Sequence, residues 1–394
     1  MAKILGFVLE LNPFHNGHDF FLREAKARVG PDLTIAVLSG NYTMRGDLSV
    51  IDKFQKTRLA LAAGIDLVFE LPFASAVNSA DFFGYNAVNI LVRLGITDLA
   101  FGVELANPEK LVLMKDFLKD ETFQAEIRNE LKKGLSYPTA AYRALSKITA
   151  DEEILANFTL PNNTLGIQYL RSLDELNPDV KVEYIKRVAN NYFDTNLTGS
   201  ISSATAIREV LRKKEDISAF VPDYGVKVAY LDQDAAEAKM LTILKYLFAS
   251  KDAEEFRGIW GVNEGIEKRI ASFIPEADDF RSLVEKIQTK RYPQNKIKRL
   301  LLHMLMGTPK EFENKKLHYL RMLGASLKGL EYLKKLPKEV KAEIITSFKN
   351  REDNPLVKAE LKATSVYGLL ANGFDLVMEE YKIPIIIGGK NDNK

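Results

Sequence analysis

Apolar and polar positions alternate in blocks over the first hundred residues of the chain. Short β-rich apolar runs occupy residues 4–9, 33–38, 66–71 and 98–102. Runs with helical periodicity lie between them, at residues 19–28, 50–63 and 80–94. Apolar strands separated by helices predict a parallel sheet that is covered by helices on both faces. We therefore expect an α/β fold whose ligands bind at the carboxyl ends of the strands.

The second half of the chain has a different pattern. After about residue 225 the β-rich runs stop, and helical periodicity continues to about residue 350. The last forty residues are mixed, and one apolar run at 383–387 is consistent with an edge strand. The pattern predicts an α/β domain over residues 1–215 and a mostly α-helical C-terminal domain over residues 216–394.

Composition narrows the class of protein. Apolar residues make up 46% of the 394 positions and charged residues 27%, as in ordinary globular proteins, and a net charge of +2 gives no chain-wide attraction to nucleic acid. The absence of cysteine excludes disulfides, thiolate metal sites and a cysteine nucleophile. We see no signal peptide and no apolar stretch near the roughly 18 residues of a membrane helix. We expect a cytoplasmic protein with no membrane partner, of unknown oligomeric state.

Two of the four histidines lie in one heptapeptide, Asn12-Pro13-Phe14-His15-Asn16-Gly17-His18. This heptapeptide, the first motif below, falls at the predicted turn from a strand into a helix. A helix start of this kind binds phosphates through free backbone N–H groups and the positive end of the helix dipole. Imidazoles donate hydrogen bonds to phosphate oxygens, and a glycine lets the backbone approach a nucleotide closely. These residue types suit nucleotidyl transfer, in which negative charge builds on phosphate oxygens.

The alternatives for this heptapeptide are a metal site or an accidental His-rich turn. Zinc hydrolases place two histidines four residues apart on a helix, with a glutamate beside the first. Here the spacing is three residues, on a turn, and Asp19 is the one nearby acidic residue. The sequence therefore favours phosphate binding and predicts no bound metal at this turn.

A second motif, Ser203-Ala204-Thr205-Ala206-Ile207-Arg208, precedes a helical run. Its hydroxyl and N–H groups can donate hydrogen bonds to phosphate oxygens. The alternative is an ordinary capped helix, because serine and threonine are common N-caps. The order of the two motifs along the chain favours phosphate binding.

Together the motifs resemble those of a known family. The first motif resembles the HxGH sequence of the nucleotidylyltransferase superfamily, and the second resembles its Ser-Ser/Thr-Thr-x-x-Arg sequence, with Ala204 in place of the middle hydroxyl. Further segments follow in order, and the whole set resembles the bacterial tRNA(Met) cytidine acetate ligases. These segments are 39–46, 70–72, 101–104, 161–166 and 290–293.

The resemblance implies a Rossmann-like nucleotidyltransferase sheet and a reaction in two steps. ATP activates acetate as acetyladenylate, and the acetyl group then moves to the exocyclic amine of the wobble cytidine of elongator tRNA(Met). His15 and His18 would be catalytic, and Mg²⁺ would accompany ATP, with no organic prosthetic group. The implied ATP-binding residues are Val8, Leu9, Asn12, Pro13, Phe14, His15, Asn16, Gly17, His18, Gly102, Asn162, Arg187, Val188 and Ser203.

The chain departs from the family pattern at a few positions. Leu11 replaces an aromatic residue, and Val103 stands where serine is typical. Met44, Asp47 and Leu48 replace Gln, Glu and Pro. None of these changes removes an expected phosphate ligand.

A basic segment occurs in the second half of the chain. Residues 286–310 contain seven lysines and arginines and no acidic residue. We expect Lys290, Arg291, Tyr292, Lys296, Lys298 and Arg299 to bind tRNA, with the tyrosine stacking on a base or sugar. On a helix starting near Gln294, Leu300, Leu301 and Met304 would face the core. The alternative is a solvated charged face. We expect His303, His318 and Arg321 to be structural.

Two other functions remain open on the sequence alone. A small-molecule adenylyltransferase of the coenzyme A or NAD type would share the first domain, but it leaves the basic segment without a role. An RNA-binding protein with a vestigial nucleotide fold would bind RNA with no dependence on ATP or acetate.

Overall fold

The structure is a computed structural model that describes residues 2–135, 137–187, 202–313, 319–371 and 373–388. Its described strands form one sheet in the order β5-β4-β1-β2-β3-β6-β7, and β8 pairs with β6. The strands are β1 (Ile4–Leu9), β2 (Leu33–Ser39), β3 (Leu67–Leu71), β4 (Asp98–Val103), β5 (Lys181–Lys186), β6 (Leu320–Ser326), β7 (Ile344–Ile345) and β8 (Ile385–Ile387).

Helices surround the sheet and build the second half of the chain. The α-helices are α1 (Asn16–Val29), α2 (Lys53–Ala62), α3 (Phe73–Ala76), α4 (Ala80–Arg93), α5 (Lys110–Phe117), α6 (Glu121–Lys132), α7 (Tyr137–Leu145), α8 (Glu152–Asn157), α9 (Pro161–Leu176), α10 (Ala204–Arg212), α11 (Gln233–Ser250), α12 (Ile266–Phe273), α13 (Phe280–Ile287), α14 (Gln294–Met306), α15 (Leu327–Lys335), α16 (Lys338–Glu343) and α17 (Pro355–Leu370). Short 3₁₀ helices span Ala253–Gly258, Lys310–Phe312 and Phe374–Tyr381. None of the helices described is long and apolar enough to cross a bilayer.

Both faces of the parallel strands β1 to β4 are buried, as their apolar runs predict. In β1, Leu5, Phe7 and Leu9 pack with α1 and α2 on one face, and Ile4 packs with α4 and α9 on the other. Gly6 lies under α4, where an added Cβ would come within 3.0 Å of Ile96. Strands β1 to β5 pair in parallel, which confirms the predicted α/β class.

The chain order leaves a crevice at the carboxyl end of the sheet. From β1 the chain passes through α1 to β2 on one side, and from β3 it passes through α4 to β4 on the other side of β1. The connections that leave the carboxyl ends of β1 and β4 therefore run to opposite sides of the sheet. In open α/β sheets such a switch point is where ligands bind.

The C-terminal residues return to the sheet, contrary to the expectation that β-rich runs stop after residue 225. Strand β6 pairs antiparallel with β3, and β8 pairs parallel with β6. The edge strand expected at 383–387 is confirmed by β8. The residues between are mostly helical, and α11 to α14 pack with α17 around a second core. The division into domains at residue 215 stays a prediction.

A buried charge cluster ties the returning segment to the sheet. The Lys53 ammonium of α2 lies 2.6 Å from Glu70 of β3 and 3.0 Å from Glu360 of α17, and it also contacts Glu380. All four side chains are buried, and Arg321 of β6 pairs with Glu380 at 3.3 Å. A buried charge without a partner is costly, so these contacts fix the position of α17 against the sheet.

Candidate active site

The crevice between β1 and β4 collects the residues of the first motif. Residues 10–15 lead from the end of β1 to the start of α1, and the two histidines lie at that start. His15 is the N-cap of α1 and is 5% exposed. The helix therefore presents its N-terminal end, with its positive dipole, to the crevice.

The two histidines form a capping box that uses imidazole nitrogens. The Gly17 N–H donates to Nδ1 of His15 at 3.0 Å, and the His15 N–H donates to Nδ1 of His18 at 3.3 Å. The ring centroids of His15 and His18 are 3.9 Å apart. Each side chain thus replaces the serine or glutamate that usually caps a helix, which holds both rings at the helix start.

This capping fixes which nitrogen carries the proton. A neutral imidazole has one N–H, and because Nδ1 accepts a hydrogen bond in both rings, the proton is on Nε2. Burial, followed by the charges of Arg187 and Arg208, lowers the pKa of His15 to about 3. Burial also lowers the pKa of His18 well below its usual value. Near neutral pH the site offers two uncharged Nε2–H donors, which suit phosphate oxygens.

The second motif contacts the first through an arginine. Nη1 of Arg208 donates to the carbonyl oxygen of Asn12 at 2.8 Å, and Nη2 donates to Oγ1 of Thr205 at 3.1 Å. Ser203 caps α10, since its Oγ accepts from the Ala206 N–H at 3.1 Å. The motif therefore caps a helix and lies against the first motif, and its binding of phosphate stays a prediction. Arg208 was not among the predicted ATP-binding residues.

A polar chain forms the other side of the crevice. Arg187, just after β5, donates to Oδ1 of Asn162 at 3.2 Å, and Asn162 donates to Glu104 at 2.6 Å. Gly102 lies under Arg187, whose Cγ would be 3.5 Å from an added Cβ. The structure thus brings together three of the predicted ATP-binding residues from β4, α9 and the end of β5. Their contact with ATP stays a prediction.

The remaining predicted ATP-binding residues lie partly in the cores beneath the crevice and partly against another segment of the chain. Val8, Leu9 and Phe14 pack into the cores beneath the crevice, and Pro13 is buried. Asn16 faces another segment: its backbone N–H donates to Phe220 and its side-chain amide to Ala219, at 2.9 and 3.0 Å. Val188 lies outside the described residues.

Two charged residues that the sequence did not single out, Lys56 of α2 and Glu10 after β1, contact the loop after β2. Lys56 is fully buried below this loop and donates to the carbonyl of Gly40 at 2.8 Å, and burial lowers the pKa of its amine to about 7. Glu10, the first residue after β1, accepts from the Met44 N–H at 2.8 Å. The one available signal was the position of Glu10, directly after an all-apolar strand.

A cleft of about 290 Å³ opens beside the second motif. Arg45, Thr205 and Arg208 line it from the loop after β2 and from the second motif, and Asn295 and Lys298 line it from α14. The walls come from both halves of the chain. A ligand held by the helical half could therefore reach Thr205 and Arg208 of the second motif.

Comparison with known proteins identifies the family. A family model described as HIGH Nucleotidyl Transferase matches residues 2–380. The tRNA(Met) cytidine acetate ligase of Thermosipho africanus is 36% identical over 364 residues, covering 89% of this chain and 86% of that protein. That of Caldanaerobacter subterraneus subsp. tengcongensis is 33% identical over 402 residues, covering 98% and 99%. The chain belongs to the tRNA(Met) cytidine acetate ligase family.

Solved structures agree with this assignment. The crystal structure of apo Thermotoga maritima TmcAL superposes with a TM-score of 0.87 at 31% identity, covering 98% of this chain and 99% of that one. The same protein bound with alpha-thio ATP gives a TM-score of 0.85 at 30% identity, with the same coverage. The nucleotidyltransferase fold expected from the motifs is confirmed.

Only part of the basic segment is exposed to solvent, and two of its side chains contact the loop after β2. Lys290 and Arg291 are exposed. Lys298 pairs with Asp47 at 2.9 Å, and Arg299 donates to the Met44 carbonyl at 3.1 Å. These two side chains hold the loop after β2. The predicted helix at Gln294 is confirmed, as is the burial of Leu300, Leu301 and Met304.

Gly46 shows how closely that loop approaches α14. An added Cβ would lie 2.5 Å from the backbone nitrogen of Arg299, and its φ of 83° is a conformation that favours glycine. The loop and the start of α14 are therefore packed backbone to backbone. This contact aligns the basic segment with the crevice.

Tyr292 does not have the surroundings expected of a stacking residue. It is 4% exposed, its hydroxyl donates to the Asn263 carbonyl at 2.8 Å, and the Lys296 ammonium lies 3.9 Å from its ring centroid. The ring is a core residue and one face is covered by a cation. This placement argues against stacking on a base, an interpretation that considered only its neighbours in sequence.

The residues expected to be structural include His303 and Arg321, and both are buried. His303 bonds to the Val77 carbonyl at 2.8 Å and stacks on Trp260. His318 lies outside the described residues.

Within the described ranges, the carboxylates of Glu70, Glu360 and Glu380 are the one group close enough to share a metal ion. The Lys53 ammonium lies among them, so this cluster does not fit Mg²⁺.

Proposed function

We propose that this protein is an ATP-dependent ligase that acetylates the exocyclic amine of the wobble cytidine of elongator tRNA(Met). In the first step, an acetate oxygen attacks the α-phosphorus of ATP and pyrophosphate leaves, which gives acetyladenylate. In the second step, the cytidine amine attacks the acetyl carbon, and N4-acetylcytidine and AMP form. Because ATP and tRNA are its substrates, we expect the reaction in the cytoplasm, and Mg²⁺ would enter as the complex with ATP.

The observation that carries this proposal is the pair of neutral imidazoles at the start of α1. Charge develops on the α-phosphate and on pyrophosphate as the bond to the leaving group breaks. Two Nε2–H donors and a helix N-terminus are oriented before substrate arrives, which is the arrangement that stabilises such charge most effectively. Acetate is itself the nucleophile, so the step requires no nucleophilic side chain.

The proposal that tRNA accepts the acetyl group rests on family membership and on the second half of the chain. Relatives that carry the name tRNA(Met) cytidine acetate ligase align with nearly the whole chain, not with the nucleotidyltransferase region alone. A coenzyme A or NAD type adenylyltransferase would leave the cleft between Arg208 and Lys298 without a purpose. We propose that this cleft admits the cytidine after it leaves its stack, as base-modifying enzymes require.

Labelled acetate tests the proposal directly. The protein is incubated with labelled acetate, ATP and total tRNA, and the tRNA is digested to nucleosides. We expect label in N4-acetylcytidine, with none when ATP is omitted. Two matched reactions replace tRNA with phosphopantetheine or nicotinamide mononucleotide, with labelled ATP. Adenylylation of either compound without tRNA labelling would establish the small-molecule function, and RNA binding with neither activity would establish the vestigial one.

A further inference from the structure

Glu10 occupies a position at the crevice that the first step does not use. It follows the last residue of β1 and is half-buried. Its Oε1 accepts the Met44 N–H at 2.8 Å. Within the described ranges, no donor reaches the second oxygen, Oε2. One oxygen is thus anchored to the loop after β2, and the other is available to a ligand.

The second step of the proposed function needs a proton acceptor. The exocyclic amine of cytidine is a weak nucleophile because its lone pair is delocalised into the ring, and it must lose a proton as the amide forms. The histidines cannot accept this proton: Nδ1 of each is engaged by a backbone N–H, and Nε2 already carries hydrogen. The tautomer that suits them to phosphate binding excludes them as bases.

Other carboxylates near the crevice are engaged by donors. Asp19 contacts Arg23 through one oxygen and the Tyr224 hydroxyl through the other. Asp47 is paired with Lys298 at 2.9 Å; burial acts to raise the pKa of its carboxyl, but the charge and hydrogen bond of Lys298, together with the charges of Arg208 and Arg45, lower the pKa overall. Glu104 accepts from Asn162 at 2.6 Å through Oε1, and its Oε2, although it has no donor among the described residues, is fully buried and closed to a ligand. Glu10 combines a free oxygen with a position at the end of the central strand.

The charged and titratable groups around Glu10 come from four elements. They are Lys56 of α2, Arg45 and Asp47 of the loop after β2, Tyr169 of α9 and Arg208 of α10. Burial raises the pKa of Glu10, and the Met44 hydrogen bond and the charges of Lys56 and Arg45 oppose this rise. Its carboxylate is therefore a stronger base than an exposed one, which is the adjustment that general bases require.

We propose that Glu10 is the general base of acetyl transfer, an inference that rests on the function proposed above. The cytidine nitrogen forms a bond to the acetyl carbon, and the bond from that carbon to the phosphate oxygen of acetyladenylate breaks. AMP leaves with the electron pair of that bond. The proton of the amine passes to Oε2 of Glu10, which later releases it to solvent. Arg208, which faces Glu10 and donates to Asn12, links the base to the nucleotide-binding motif.

The change Glu10→Gln separates the two steps. Glutamine keeps an Oε1 that can accept the Met44 N–H, but its other atom is an amide nitrogen that cannot accept a proton. We expect acetate-dependent exchange of pyrophosphate into ATP to stay within about threefold of the unmodified protein. Single-turnover acetyl transfer to tRNA should fall about 100-fold or more, the usual contribution of a general base. The change Glu24→Gln removes a carboxylate that pairs with Arg28 on α1, and it should alter neither step.

The pH dependence of the unmodified enzyme gives a second test that needs no variant. Single-turnover transfer should fall as pH drops through the raised pKa of Glu10, and exchange should not fall in the same interval. Equal loss of exchange and transfer in Glu10→Gln, unchanged transfer in that variant, or transfer and exchange that share one pH dependence would each overturn the inference. If the unmodified enzyme shows no acetate-dependent exchange at all, the proposed function itself fails.

Discussion

Arg208 donates a hydrogen bond from Nη1 to the carbonyl oxygen of Asn12 at 2.8 Å. These residues are 196 positions apart, and they belong to the second and first motifs. The two motifs are therefore held in register by a charged donor. The same guanidinium lies beside the crevice, where its charge adds to burial and to Arg187 in lowering the pKa of His15.

The change Arg208→Lys tests this coupling. Lysine keeps the charge but cannot bond to Asn12 and Thr205 together through a planar fork. Removal of a charged hydrogen bond costs about 1.5–3 kcal/mol, so kcat/KM for pyrophosphate exchange should fall about 10- to 100-fold. The matched change Arg28→Lys, on the exposed surface of α1, should have no effect. Equal activity of both variants would show that the hydrogen bond between the motifs is dispensable.

Replacements that keep the caps isolate the catalytic role of the histidines. His15→Asn and His18→Gln retain acceptors at the N-cap and at the third helical position, but they remove the Nε2–H donors. Acetate-dependent exchange should fall about 100- to 1000-fold per residue, with an unchanged urea midpoint. His15→Ala should in addition lower the free energy of unfolding by about 1 kcal/mol, because it removes the N-cap. Near-normal exchange in the two cap-retaining variants would refute the donor role.

Buried histidines should make the protein less stable in mild acid. The unfolded chain binds protons to histidine below its usual pKa of 6.5, but burial lowers the pKa of His303 in the folded protein to about 3. The free energy of unfolding should therefore decrease as pH falls through 6.5, by about 1.4 kcal/mol per such residue from about pH 7.5 to about pH 5.5. Urea unfolding at both values should show a correspondingly smaller decrease in His303→Gln. An identical decrease in the two proteins would contradict the folded-state pKa.

Removal of the Lys53 ammonium should lower the free energy of unfolding, because it leaves buried carboxylates without a cation. Lys53→Met leaves Glu70, Glu360 and Glu380 without their common cation, and breaking a buried pair costs about 3–5 kcal/mol. The free energy of unfolding from urea titration should decrease by that amount. Lys119→Met removes an exposed lysine that pairs with Asp174, and its effect should stay within about 0.5 kcal/mol. A decrease as small as that of the control would mean that the cluster does not hold the C-terminal segment.

Charge reversal at Lys290 and Arg291 should weaken tRNA binding and spare acetate activation. Each cation that no longer binds a phosphate lowers the slope of log affinity against log salt by about one, so the slope of the double variant should be smaller by about two. The control carries Lys334→Glu and Lys335→Glu, at exposed positions of α15. Filter binding across a salt series measures the affinity and the slope for both double variants. If the first variant were also inactive in pyrophosphate exchange, the separation of acceptor binding from activation would be refuted.

The parallel strands and the strand-to-helix turn of the first motif could be predicted because their causes are local. The run 4–9 is apolar throughout, and β1 covers the same residues because both of its faces are buried. The first motif carries its own capping pattern within seven residues. Its contact with Arg208 could be anticipated only from the order of two motifs.

The remaining features depend on residues that are distant in the chain. Strand β6 follows a long helical stretch, and its edge pairing with β3 has no local signal. Lys53 appears as an ordinary helix residue until Glu360, 307 positions away, is placed beside it. Tyr292 lies among cations in sequence, but its ring is buried and its hydroxyl donates to the carbonyl of Asn263, 29 positions away.

The most direct test of the central claim is pyrophosphate exchange into ATP without tRNA. We predict exchange that requires acetate in the unmodified enzyme, and a decrease of about 100-fold or more in His18→Gln with no change in the urea midpoint. Exchange that is independent of acetate, or that is unaffected by His18→Gln, would contradict the claim that this pair of histidines activates acetate.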